Sequence, residues 1–271
     1  MPVSAVTTTV LEAGSEPRAV VRIAPVAGEE QSVVLTTRSE VFQQIDSEPR
    51  QDFSTPEVTL PLTASVTQAV SDSQPSTLVD IALGEASSPD PMLSSALADA
   101  AGSRAGLTVG PSGAVSALRL APSVDTANVA RSAIEQAFYQ SVYRMVSFPD
   151  AEIGVGAVWQ IHQQVMSAGV TIDQLSTATL VSREDERLTV DVRVEQTPKG
   201  REWMLPNGQG QLDIKHYTMA GEGTVTLDPM LPLPVDGSLV LSGEQVYVDP
   251  EGTTRLAQSQ VDRVEWHTPE N

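Results

Sequence analysis

The 271-residue chain has no cysteine, which excludes disulfides, thiolate metal sites and cysteine nucleophiles together. It is poor in aromatics, at 4%, so a core must be built from Val, Leu, Ile and Ala. It is also poor in basic residues. Sixteen Lys and Arg face 35 Asp and Glu, for a formal net charge of −19, and only Lys199 and Lys215 are lysines. Nucleic acid is a poor partner for such a surface, because binding it requires neutralising phosphates with cations. Anionic lipid headgroups meet the same objection. No apolar run approaches the length of a transmembrane helix, and no charged-then-apolar leader stands at the start.

Strand signals dominate what is present. Val, Thr and Ser are abundant, and apolar and polar residues alternate through Gln31–Phe42 and Val58–Val70, the period of a half-buried strand. In the second of these Val58, Leu60, Leu62, Ala64 and Val66 share one face. Further strands are expected at Ala19–Ala24, Leu78–Leu83, Leu107–Val109, Val115–Leu120, Ala157–Ser167, Leu175–Val181 and Leu188–Gln196. Gln211–Ala220, Gly223–Asp228, Ser238–Val248 and Thr254–Trp266 complete the set. They follow one another at hairpin spacing rather than as βαβ units.

Two helices interrupt them. Asp90 reads as an N-cap, Pro91 as the first helical residue and Gly102 as the stop. A longer helix is expected over Thr126–Val146, capped by Asp125. There Ala130, Ile134, Ala137, Phe138, Val142 and Met145 recur at spacings of three and four, an apolar stripe at helical period.

The expected organisation is a flexible tether at 1–18, a first β-rich half at 19–123, a central long helix at 124–149 and a second β-rich half at 150–268. The fold class expected is α+β, with long antiparallel strands in two halves packed around one long helix. Two short matches suggest duplication. Val70-Ser71 with Val79-Asp80-Ile81 resembles Val181-Ser182 with Val190-Asp191-Val192, and the Val109–Gly113 turn resembles Val248–Gly252.

Catalytic patterns are not found. There is no Walker loop and no Gly-x-Ser-x-Gly elbow. His162, His216 and His267 lie far apart in sequence, and Gly154-Val155-Gly156 lacks a third glycine and opens a strand. The chain is therefore read as non-catalytic, with no cofactor and no metal ligands. The unusual segments are apolar and irregular: Trp203-Met204-Leu205-Pro206 and Pro229–Pro234. Capping the core is the ordinary role for such loops. Rimming a hydrophobic opening is the functional one. On the functional reading Trp203, Met204, Met230 and Leu231 stand at the mouth of a cavity between sheet and helix, and Ile134 and Phe138 line it. The ligand would be a lipid or another hydrophobic molecule. The alternative is a module for protein-protein interaction or assembly.

Two stretches resemble an uncharacterised actinobacterial cell-envelope family of lipoprotein type, with a domain of unknown function. One is Gly14-Ser15-Glu16-Pro17-Arg18, then Ala27-Gly28 and a Gln/Thr-rich strand through Gln31 and Thr36. The other is Phe148-Pro149 followed by Val155-Gly156-Ala157-Val158-Trp159. The resemblance implies an extracytoplasmic location, a lipid-modified cysteine upstream of Met1 and, for the interaction module, another envelope protein as the partner. It brings no catalytic residues.

Overall fold

Alternation at period two, repeated through most of the chain, builds one sheet. A computed structural model describes residues 2–70, 75–167, 169–205 and 210–269. Its strands are β1 Val6–Glu12, β2 Glu30–Ile45, β3 Gln51–Asp52, β4 Thr55–Gln68, β5 Thr77–Leu83, β6 Arg104–Val109 and β7 Val115–Ala121. They continue with β8 Val158–Ser167, β9 Val170–Glu184, β10 Arg187–Pro198, β11 Glu202–Met204, β12 Gln211–Leu227, β13 Asp236–Val248 and β14 Arg255–His267. The helices are α1 Pro91–Leu97 and α2 Asn128–Val142. All the described ladders between these strands are antiparallel, in the order β1-β8-β9-β10-β12-β13-β14-β2-β4-β5-β6-β7, with β3 beside β2 and β11 beside β12.

This corrects the expected α+β class. Strand accounts for 56% of the described residues and helix for 10%, so the architecture is all-β with two short helices. The long helix shrinks to the 15 residues of α2. No side chain caps it at Ala127, and Tyr143–Phe148 leaves the helix to run through the interior, where Arg144, Val146, Ser147 and Phe148 are all buried. The apolar stripe continued past the helix because an extended segment inside the sheet also needs apolar residues. α1 matches its signals better. The Asp90 carboxylate accepts from the Leu93 amide at 2.8 Å, and Gly102 adopts φ +80° just beyond.

The expected tether is a strand. Val6–Val10 pairs in register with Gln163–Trp159 of β8. Immediately before it, Pro2 bridges Ala117 of β7, and the Val3 amide donates to the Ser116 carbonyl at 3.0 Å. One short segment thus joins the two ends of the strand order, and the sheet closes on itself. Its small β-branched residues suit an edge strand as well as they suit a loop. Ala19–Ala24 is not a strand. It makes one bridge, Ala19 to Ile153, and buries Val21 and Ile23. β12 runs unbroken through Gly221 and Gly223, where two strands were expected. Both glycines face inward, and a Cβ there would lie 2.2 Å from the Val240 carbonyl oxygen and 2.0 Å from that of Ser238. They let β12 and β13 approach closely and bend.

The suspected repeat is only partly visible. β4–β5 and β9–β10 are both hairpins, flanked by β2 and β6 and by β8 and β12. Their registers differ, however. The sequence match would set Val190 opposite Thr177, as Val79 stands opposite Val66, yet Val190 stands opposite Leu180. Ser71 of the first match lies outside the described residues. The Val109–Gly113 and Val248–Gly252 turns share an i-to-i+3 hydrogen bond, Gly113 to Gly110 and Gly252 to Asp249. They join the fourth and fifth principal strands of one half but the fifth and sixth of the other. That match is local turn chemistry.

Inward-facing positions carry the core, with Val58, Leu60, Leu62, Ala64 and Val66 of β4 all buried as their alternation requires. Outward positions are polar: Asp191, Arg193 and Glu195 of β10 are exposed between buried Val190, Val192 and Val194. A bilayer-spanning barrel has the reverse arrangement, an apolar outer band. Among the described residues no helix is long and apolar enough to cross a membrane.

Candidate functional site: a polar pocket under the second helix

Core-facing positions change character along the strands. On β14 Trp266 and Val264 are followed inward by Asp262, Gln260 and Gln258. On β9 Leu180 and Ala178 give way to Ser176 and Gln174, and on β2 Leu35 gives way to Thr37 and Ser39. One end of the interior is hydrocarbon and the other is lined by amides, hydroxyls and two charges. The polar end lies under α2, which packs against β2, β4, β14 and β7. The Tyr139 hydroxyl of α2 donates to the Met166 carbonyl at 2.7 Å and accepts from the Met166 amide at 3.2 Å, fixing the helix to the end of β8.

A pocket of about 220 Å³ opens here, with Arg144, Asp262, Tyr139, Tyr217, Gln196 and Gln260 among its lining. Arg144 follows α2 by two residues and is only 8% exposed. Its Nη1 donates to Gln174 Oε1 at 2.9 Å, an oxygen that also accepts from Gln196 Nε2 at 2.9 Å. Its Nε and Nη2 have no acceptor among the described residues, so most of the five guanidinium donors are left without a protein partner. Burial lowers the Arg144 pKa, against the pull of Asp262; the group stays charged.

Asp262 is the carboxyl lining the pocket. It accepts from Ser39 Oγ at 2.6 Å and from Gln260 Nε2 at 2.8 Å. Burial raises its pKa, opposed by the Ser39 bond, by Arg144 and by Gln260. A ladder of amides continues from it, Gln260 Oε1 accepting from Gln258 at 3.3 Å and Gln258 Oε1 from Gln43 at 2.8 Å. Burial pushes Tyr139 up to about 12 and raises Tyr217 as well, so both phenols are neutral at physiological pH.

The other face of α2 borders a second, open pocket of about 570 Å³, lined by Leu118, Leu120, Ser132, Glu135, Gln136 and Tyr139. Gln136 and Tyr139 line both pockets. The N-terminal segment meets β7 in a single bridge, Pro2 to Ala117, and α2 also packs against β7.

The structure distributes the expected site residues over three places. Ile134 and Phe138, each 4% exposed, are in the main core. Trp203 packs on Tyr247 with ring centroids 4.9 Å apart, in a cluster with Val165, Val170, Ile172, Tyr139, Tyr143 and Tyr217. It therefore adjoins the polar pocket. Met204, beside it, is 61% exposed. Met230 and Leu231 follow the far end of β12, nearly the whole 17-residue strand away, or roughly 50 Å at about 3.3 Å per residue. The four do not rim one mouth. Pro206 lies outside the described residues. His162, His216 and His267 are all exposed, and no group of three or more His, Asp or Glu converges for a metal among the described residues.

Arg144, Asp262 and the glutamines escaped the sequence reading. Their signal was a polar run kept on core-facing parity: Gln258, Gln260 and Asp262 share parity with Val264 and Trp266.

No family model matches this chain, and no curated protein matches it. Among solved structures, OmpT, an outer membrane protein of Vibrio cholerae (in-vitro folded, trimer form), is 9% identical. The alignment covers 88% of this chain and 100% of that one at a TM-score of 0.17, too low to argue a common fold.

Proposed function

We propose that this protein is a non-catalytic, extracytoplasmic binding protein that takes a lipid-like ligand between α2 and the sheet. The observation that carries the reading is the pair of pockets that share Gln136 and Tyr139, one walled by Leu118 and Leu120 and the other polar. An amphiphile presents the same two chemistries in the same order. The larger pocket, at about 570 Å³, falls in the range of small-molecule sites, roughly 300–1,000 Å³. The smaller has the size of a headgroup. The extracytoplasmic placement rests on the resemblance at Gly14–Thr36 and Phe148–Trp159.

Native mass spectrometry of the protein, purified under mild conditions after exposure to a total lipid extract, tests this. The expected result is one bound lipid per chain, lost when Leu120→Asp and Ser132→Trp fill and charge the apolar pocket. Spectra of the bare chain alone would remove the proposal.

A second reading, an interaction or assembly module, is favoured by Met92, Val124 and Val129. These apolar residues of α1, of the turn before α2 and of α2 are 84%, 93% and 58% exposed. Copurification of a stoichiometric partner, lost in Met92→Glu with Val129→Glu, is its test.

A further inference from the structure

We propose that Arg144 is an anion site, taking the carboxylate or phosphate oxyanion of an amphiphile whose apolar part lies along Leu118 and Leu120. The inference deepens the lipid-binding proposal and rests on it for the tail.

Arg144 is more than nine-tenths buried in a chain of net charge −19. A buried guanidinium is ordinarily matched by a carboxylate within hydrogen-bonding distance. Here the one side-chain acceptor it meets is the neutral Gln174 amide oxygen, at 2.9 Å, and it forms no ion pair among the described residues. Asp262 is near enough for its charge to be felt, but Ser39 and Gln260 already donate to its two oxygens. Arg144 borders the pocket, and its Nε and Nη2, the adjacent pair that binds a carboxylate or phosphate in the two-pronged manner, have no acceptor among the described residues.

The rest of the lining suits the same guest. The Tyr217 hydroxyl and the Gln140, Gln196 and Gln260 amides border the pocket, and each has an O–H or a second N–H to offer a further oxyanion lone pair, whereas the Tyr139 proton is already given to the Met166 carbonyl. Glu135, the acid of the second pocket, lies on the exposed face of α2, where an acyl chain rather than the anion would pass. The overall negative charge repels anionic surfaces, so the chemistry favours a single extracted anion over docking to a charged bilayer.

Calorimetric titration of the full chain with octanoate, octanol, acetate and inorganic phosphate separates the possibilities. Octanoate is expected to bind roughly tenfold or more tighter than octanol, the worth of one charge-assisted hydrogen-bonded contact. Arg144→Gln should erase that difference and Arg144→Lys should keep part of it. In the wild-type protein, one arginine Nε–H resonance should move with octanoate and stay still with octanol, a readout that survives if the variants do not fold. Equal affinity for octanoate and octanol, with no Nε–H response, overturns the anion site and leaves the lipid proposal standing. Acetate or phosphate binding as tightly as octanoate, with loss in Arg144→Gln, keeps the anion site and overturns the lipid proposal. No binding of any probe overturns both.

Discussion

Gln174 holds two consecutive residues at once: its Oε1 accepts from Arg144 Nη1 at 2.9 Å, while its Nε2 donates to the Tyr143 carbonyl at 3.0 Å. The first bond aims the guanidinium and the second fixes the backbone where the chain leaves α2. Gln174→Leu preserves the volume and removes both. It leaves a buried charged donor and a carbonyl unpaired, at a cost of about 3 kcal/mol. Thermal melts check this, and a variant as stable as the wild type would mean that water substitutes for the amide.

Ile134→Ala and Phe138→Ala are each expected to cost about 2–5 kcal/mol, through lost transfer energy and the cavity left behind. Both residues are 4% exposed on the face of α2 turned to the core. Chemical denaturation measures the loss. A variant within error of the wild type would mean that α2 is not packed on the sheet as described.

Asp262 gives a pH signature. Burial raises its pKa above the ordinary 3.8, so the folded chain binds this proton more tightly than the unfolded chain does. The contribution to stability is therefore full below the unfolded value and is lost as pH rises through the folded one. Arg144, Ser39 and Gln260 oppose the rise and narrow the window. Between about pH 3.5 and about pH 7, Asp262→Asn is expected to gain melting temperature relative to the wild type. A gap that stays constant, or moves the other way, would show that the Arg144 field outweighs burial.

Gly223→Ala places a Cβ 2.0 Å from the Ser238 carbonyl oxygen, which forces β12 and β13 apart. The expected cost is about 2–3 kcal/mol. Glu222→Ala, its exposed neighbour on the opposite face, is expected within about 0.5 kcal/mol of the wild type. Equal effects at the two positions would remove the argument that the glycines permit the bend.

Deleting residues 2–12 removes the bridge at Ala117 and the ladder to β8, together with the buried Val3 and the partly buried Val6 and Val10. A loss of about 3–5 kcal/mol follows from that apolar area. Two bare strand edges also invite pairing between chains. Light scattering after size exclusion is expected to show dimers or larger species, and a stable monomer would count against closure of the sheet.

The strands were legible because their alternation is local: the five buried positions of β4 can be read from Val58 to Val66 alone. Closure was not, since nothing in Val6–Glu12 says that its partners lie at Gln163–Val158. The end of α2 was misplaced because Val146 and Phe148 are apolar for a reason unrelated to helicity. The pocket was hidden for the opposite reason. Gln174, Gln260 and Asp262 occupy core-facing parity but read as solvent-facing, and only the assembled sheet brings them together beside Arg144. The apolar loops at Trp203 and Met230 stood out in sequence, yet β12 holds them far apart.

The strand that closes the sheet is translated long before the strand it pairs with, since Val6 meets Gln163. Until β8 has emerged from the ribosome, Val6–Glu12 has no ladder to join, and β2 waits longer still, its free edge uncovered until Val34–Ile45 meets His267–Leu256 of β14. The β2–β14 ladder is the more distant of the two in sequence, and loops of that span close late. A nascent chain stalled before Val158 would therefore carry an open, adhesive sheet. Its dependence on chaperones should end only at the codons that encode β14, whose ladder covers the free edge of β2.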